Sequence, residues 1–283
     1  MKIDEVFSNT FKALRHELGH DKPKDMRPMW QKRLSTESVF CQALVSNGYL
    51  TEAQMQRAAQ RYRIGRSRDG GVIFWQIDEH EVLRDGKIMY YHDDCHRDHN
   101  HKPTWTSFLL RKAGQLPEDW RSEHCLFGLH LLFEEGGGRN EEGDYSKHYK
   151  WTPADDSTCT NPAARNISPS SLLTPPSSKN IAVVESEKTA VIMSEVRPDC
   201  IWMATGGKTE LTVAKLKPLQ GRRVILFPDT DTDGTAYREW YELAEAAGDV
   251  FGQPFTVSSF LEQQATPSQK QRKIDIADFF FGK

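Results

Sequence analysis

Nowhere in the 283 residues is there a run approaching the ~18 consecutive apolar residues that a membrane-spanning helix requires. The opening MKIDEVFSNTFKALRHELG is charged throughout and lacks the apolar segment of a secretory signal. Both absences lead to the expectation of a cytoplasmic protein that makes no use of a membrane. Cysteine is sparse as well: Cys41, Cys95, Cys125, Cys159 and Cys200 are odd in number and contain no CxxC pair. That usage excludes a disulfide framework and a zinc ribbon and leaves reduced thiols. A GxxxxGK[ST] phosphate loop is also missing, so no ATPase of that type is encoded.

Charge is plentiful and unevenly placed. Residues 1–68 hold 13 Lys/Arg against 7 Asp/Glu, whereas residues 180–283 hold 12 against 15. A basic segment beside an acidic one suits a phosphate-binding surface next to a metal site, and it equally suits solvated helices. Residues 38–63 read as two short helices around Asn47-Gly48, the second opened by Thr51 and Gln54 as a capping box. That helix carries Arg57 and Arg61 four residues apart, with Arg66 and Arg68 following. The spacing predicts a cationic outer face that holds a nucleic-acid backbone together with Lys87.

From Gly70 to Tyr91 two β-rich runs, Val72–Ile77 and Lys87–Tyr91, flank a charged turn containing Asp85-Gly86. Trp105–Ala113 reads as a short amphipathic helix. Cys125–Phe133 is an apolar run of undecided type, and Cys125, His124 and His130 beside it are taken as structural. In Tyr91–His101 the side chains of His92, Cys95, His99 and His101 have spacings that could close on Zn²⁺, and a solvated loop explains the same residues without metal. Residues 134–179 are rich in Gly, Ser, Thr, Asn and Pro, which predicts a linker or insertion. The chain is therefore expected to divide into an α+β region at 1–133, the 134–179 stretch, and an α/β domain at 180–283.

The last region alternates apolar strands with helices: Ile181–Val184, Ile201–Met203, Val224–Phe227 and Phe255–Ser258, with helices between them. Such alternation predicts a largely parallel sheet covered on both faces, with ligands at the carboxyl ends of its strands. Glu185 follows the first strand, and Asp229, Asp231 and Asp233 follow the third. Clustered carboxylates repel one another unless a cation compensates them, and all-oxygen ligands favour Mg²⁺ or Mn²⁺ over zinc.

The ordered set VVESEKTA, MATGG, VILFPDTDTDG and KIDIADFF resembles the toprim domain of bacterial primases, topoisomerases and certain nucleases. The resemblance implies that Glu185, Asp229 and Asp231 bind Mg²⁺ for phosphodiester chemistry. It adds Asp275 and Asp278 as further acidic positions, Gly206 and Gly207 as the glycine turn after the second strand, and Gly234 as the residue that starts the next helix close to the site. Lys188 and Lys208 are candidates for phosphate contacts or exposed helix residues. GGVIFWQIDEHEVLRDGKIMYY looks like the β-rich subdomain preceding toprim in primase catalytic cores. LVSNGYLTEAQMQRAAQRYRIG and CLFGLHLL resemble uncharacterised primase-like toprim proteins of bacterial mobile elements. Nucleotidyl transfer on single-stranded DNA is the expectation that follows, with a helicase or other replication protein as partner. A toprim-type nuclease and a non-catalytic DNA-binding or accessory module are the alternatives.

Overall fold

The computed structural model describes residues 35–114, 116, 121–132 and 179–283. All but the last residue of the 134–179 stretch lies outside them. Two helices come first. α1 (Val39–Ser46) is capped by Ser38, and α2 (Glu52–Arg61) opens with the reciprocal Thr51/Gln54 capping box that the sequence announces. The buried face of α2, Met55, Ala58 and Ala59, leads into the fully buried Tyr62.

An antiparallel sheet follows in the order β1 (Gly65–Arg66), β2 (Val72–Ile77), β3 (Leu83–Met89), β4 (Thr104–Trp105), and α3 (Thr106–Lys112) continues directly from β4. Every side chain of β2 is buried, because its two faces serve two interiors. Val72 and Phe74 belong to the main core, whereas Ile73, Trp75 and Ile77 pack with Leu83 and Ile88 in a smaller cluster.

The Asp85-Gly86 turn expected from sequence is not there. The reversal occurs at Asp78–Val82, where the Asp78 carboxylate accepts the amides of His80 (2.8 Å) and Val82 (2.9 Å) and Glu81 takes the left-handed conformation at φ 62°. Asp85 and Gly86 lie inside β3 for tertiary reasons. The Asp85 carboxylate is buried under donors from distant segments. A Cβ on Gly86 would come within 2.6 Å of the Trp75 ring, so glycine is required there by close packing.

The parallel sheet comprises β5 (Asn180–Val184), β6 (Cys200–Ala204), β7 (Val224–Phe227) and β8 (Thr256–Val257), all parallel, in the order β6-β5-β7-β8. Helices α4 (Glu187–Val196), α5 (Val213–Leu216) and α6 (Thr235–Phe251) fill the crossovers, and α7 (Phe260–Gln264), α8 (Pro267–Arg272) and α9 (Ile276–Phe280) complete the chain. The mixed α/β class with a helix-flanked parallel sheet is thus observed. Because β6 and β7 lie on opposite sides of β5, the winding reverses between β5 and β7. In such sheets the crevice at the reversal is where ligands bind.

The hydrophobic interior does not divide at the expected domain boundary. Phe40, Leu44, Tyr62, Phe74 and Phe127 share one cluster with Ile181, Val191, Trp202 and Leu226. Tyr62 donates to the Trp202 carbonyl (2.7 Å) and stacks on Phe127, which exchanges backbone hydrogen bonds with Ala204 and so covers the outer edge of β6. The run around Cys125, undecided from sequence, serves as this edge cover. Among the described residues no helix is long and apolar enough to cross a membrane.

Candidate functional site at the carboxyl edge of the parallel sheet

β5 ends at Val184 and β7 at Phe227, so Glu185 and Asp229 emerge on either side of the winding reversal. The Glu185 carboxylate is 8 % exposed and accepts the backbone amide of Asp229. Burial, opposed by that amide and by Lys208 but reinforced by Glu239 and Asp231, raises its pKa. Asp229 is pushed well above the ordinary aspartate range, first by burial and then by Glu185, Asp275 and Asp278, with Lys188 opposing. Both shifts come first from burial and then from neighbouring carboxylates, a combination found at functional sites and in structural acid clusters alike.

Asp231 and Asp233 have other duties. Both Asp231 oxygens accept amides of the first turn of α6, Thr235 and Ala236, each at 2.9 Å. A carboxylate there also complements the positive end of the helix. Asp233 is exposed and held below the usual carboxylate range by Thr235, through its side chain and its amide. Gly234 takes φ 68° at the N-cap of α6, a left-handed conformation suited to glycine. Asp275 caps α9 by accepting the Asp278 amide (2.8 Å) and also receives the Thr189 hydroxyl. Burial followed by the Asp278 charge raises its pKa. Thr230 ties the β7–α6 loop to this region by donating to Glu262 (2.9 Å) and to the Ile274 carbonyl (3.1 Å).

Glu185, Asp229 and Asp231 are therefore brought to one edge, but as side chains they do not form a closed ligand set. Among the described residues no three His, Cys, Asp or Glu side chains are gathered so as to hold a metal ion together. The expected metal-site residues fall into two differently placed classes. Glu185 and Asp229 face each other across the reversal, whereas Asp231, Asp233 and Asp275 stabilise helix starts. Cys95 and the neighbouring histidines likewise make no such group. His92 and His101 both turn to Asp98, at 3.5 and 2.6 Å, while Cys95 is buried.

The cations differ from expectation more sharply. Lys188 lies among acids, 3.7 Å from Asp278; burial works against its charge, but Asp275 and Asp278 outweigh it and raise its pKa. Lys208 is exposed, 3.8 Å from Glu239. Lys87 is no surface cation: its ammonium is buried against Glu187 (3.0 Å) and the Gly206 carbonyl. Gly206 takes φ 90°, and a Cβ there would meet Glu187 at 3.2 Å. A Cβ on Gly207, in the same turn, would lie 3.4 Å from the Glu210 side chain, so that position is not closed to other residues by packing. Arg57, which stays exposed, and the half-buried Arg61 reach across to α4 and share the nearly buried carboxylate of Glu195, at 2.7 and 2.8 Å. Each of these three charges has a protein partner 100 or more residues away in sequence, and of the three only Lys87 is buried. Of the predicted set, Arg57, Arg66 and Arg68 are exposed.

Sequence reasoning missed the Asp85 cluster. This fully buried carboxylate accepts the amides of Gly86 (2.7 Å) and Ser107 (3.0 Å) and the hydroxyls of Thr106 (2.8 Å), Ser107 and Ser122 (2.9 Å), and it lies 3.2 Å from His124 Nε2. Burial alone would raise its pKa, but His124 and Ser107 more than reverse that. A faint signal existed in the hydroxyl-rich Thr106-Ser107 helix start.

A family model described as a domain of unknown function, DUF6371, matches residues 38–140 and 168–230, more than half of the chain. The chain belongs to the DUF6371 family. The DUF6371 match takes in both sheets' principal strands, consistent with their common core, and includes Glu185 and Asp229 but not Asp231, Asp275 or Asp278. Segments are also similar to several curated proteins, two of which follow. Arginine–tRNA ligase of Baumannia cicadellinicola subsp. Homalodisca coagulata is 27 % identical over 147 residues, 47 % of this chain and 24 % of the ligase. The ligase of Proteus mirabilis is 34 % identical over 73 residues, 23 % of this chain and 12 % of the ligase. The chain thus spans a quarter or less of the length of these relatives, which marks a similar segment and carries no activity across. No solved structure matches the chain significantly.

Proposed function

We propose that the chain is a primase-like toprim protein that acts on nucleic-acid phosphodiesters with Mg²⁺ or Mn²⁺ at the Glu185/Asp229 edge. The observation that carries this reading is the gathering of carboxylates at the winding reversal: Glu185, Asp229, Asp231, Asp275 and Asp278 interact there, with Lys188 and Lys208 as the cations that oppose them among the described residues. The order of the pieces, glutamate after β5 and the DxD run after β7, agrees with the toprim resemblance.

The donor chemistry suits the ion. Mg²⁺ keeps several waters and is commonly held by one or two carboxylates plus substrate phosphates, so Glu185 and Asp229 suffice without a closed cage. When bound, such an ion neutralises charge at a transferring phosphoryl group and makes an attacking hydroxyl or water more acidic. Glu185 and Asp229 are the ligand pair. Asp231 keeps α6 starting at the edge, Lys188 offsets Asp275 and Asp278 from behind, and Lys208 stands exposed for a phosphate.

The test is incorporation of labelled ribonucleotides on single-stranded DNA, run beside loss of a labelled DNA substrate. Metal-dependent incorporation that Asp229→Asn abolishes is the expected result. Degradation instead of synthesis would establish the nuclease alternative. DNA binding with neither activity would establish an accessory module.

A further inference from the structure

Arg57, Arg61 and Lys87 are ion-paired with the protein's own carboxylates, and the antiparallel sheet offers a second surface whose chemistry suits a nucleic acid. β4 places Trp105 directly opposite Lys87 of β3, and side chains so opposed share one face of a sheet about 5 Å apart. The Lys87 ammonium reaches Glu187 and Gly206, in the segments that follow β5 and β6. Trp105 therefore stands one strand out from the residue that locks the acidic edge.

The Trp105 indole is stacked on the His124 ring, with centroids 3.8 Å apart and planes 21° from parallel. Asp85 fixes His124 from beneath, yet both rings remain partly open to solvent. One helical turn on, Phe108 is 59 % exposed, the most exposed aromatic among the described residues. Arg111 and Lys112 follow it at the i+3 and i+4 positions of α3, both exposed. A chain that buries Phe40, Phe74, Phe127 and Trp202 leaves these rings at the surface beside cations. Open π-faces next to positive charge are what hold the bases and backbone of a single strand.

We propose that Trp105, His124 and Phe108 form a stacking platform for the bases of a single-stranded nucleic acid, with Lys112 on its phosphates. The platform feeds the strand toward the Glu185/Asp229 edge, a direction that rests on the function proposed above.

The experiment is fluorescence anisotropy of the full chain with labelled oligothymidylate and oligouridylate of about 15 nucleotides, a length within the span of one such site. Phe108→Ala is the primary variant because its side chain is exposed and its loss spares the fold. It should weaken binding about 5- to 100-fold with an unchanged melting temperature. Trp105→Ala should do the same, and Trp105→Phe should restore most of the affinity. Lys112→Ala should lower the salt dependence by about one counterion. The two oligomers distinguish DNA from RNA preference. Equal binding by wild type, Phe108→Ala and Lys112→Ala, or no binding by wild type, overturns the platform. The melting temperature with Mn²⁺ is read on the same samples. A wild type without a Mn²⁺ shift, but with affinity lost in Phe108→Ala, sinks the acidic-edge reading and leaves the platform standing.

Discussion

Asp85 in the antiparallel sheet and Asp229 at the edge of the parallel one are both strand-associated aspartates drawn into the fold, and their surroundings differ in kind. Asp85 is fully buried and ringed by amides, hydroxyls and an imidazole, which together hold its pKa down. No described residue donates a hydrogen bond to the Asp229 carboxylate, and burial with three further carboxylates pushes its pKa up. A carboxylate supplied with donors is finished as a structural element. One supplied with like charges is relieved by a proton or by a cation. The contrast separates an anchor from a site without reference to sequence motifs.

The same contrast orders the mutational expectations. Lys87→Met should have the largest effect, because it leaves Glu187, only 2 % exposed, without its partner. A loss of about 3–5 kcal/mol in urea denaturation is expected, with much of it recovered in Lys87→Met/Glu187→Gln. A loss no larger than the ~1 kcal/mol of a surface pair would show that this junction does not join the two sheets. Asp85→Ala should cost about 2–4 kcal/mol by stranding several donors at once. Asp229→Asn, by contrast, should raise the melting temperature in metal-free buffer. If both aspartate variants lost stability equally, the distinction between anchor and site would fail.

A smaller effect concerns His130, buried in the antiparallel half with its pKa lowered to about 3 by burial and by Arg63. Its folded pKa lies below the unfolded value of 6.5, so the unfolded state takes up the proton first. This contribution to stability is present above about pH 6.5 and is lost as pH falls toward 3, at up to about 1.4 kcal/mol per unit. His130→Gln, which keeps a donor for the Arg61 carbonyl, should flatten that slope relative to wild type. Identical pH profiles would mean that the ring titrates freely.

What could be read from the sequence was whatever neighbours in sequence determine. The Thr51/Gln54 cap, the strand and helix alternation after residue 180, and the placement of Glu185 and Asp229 at strand ends all depend on short spacings, and all are present. Long-range pairings were invisible. Arg57 and Arg61 read as a solvated cationic face because Glu195, more than 130 residues away, carries no local sign of being their partner. Asp85-Gly86 read as a turn because that dipeptide usually is one, whereas here packing against Trp75 and the donors of α3 overrides the local preference. Asp231 read as a ligand beside Asp229, and spacing alone does not reveal that its oxygens also accept amides of the next helix.

Binding of Mn²⁺ to the full chain, measured by calorimetry on wild type, Glu185→Gln, Asp229→Asn and Asp231→Asn, tests the central claim most directly. One site in wild type should disappear in Glu185→Gln and in Asp229→Asn, whereas Asp231→Asn should retain binding at lowered thermal stability. Absence of binding in wild type, or equal loss in all three variants, would contradict the division of these acids into a cation-binding pair and a helix cap.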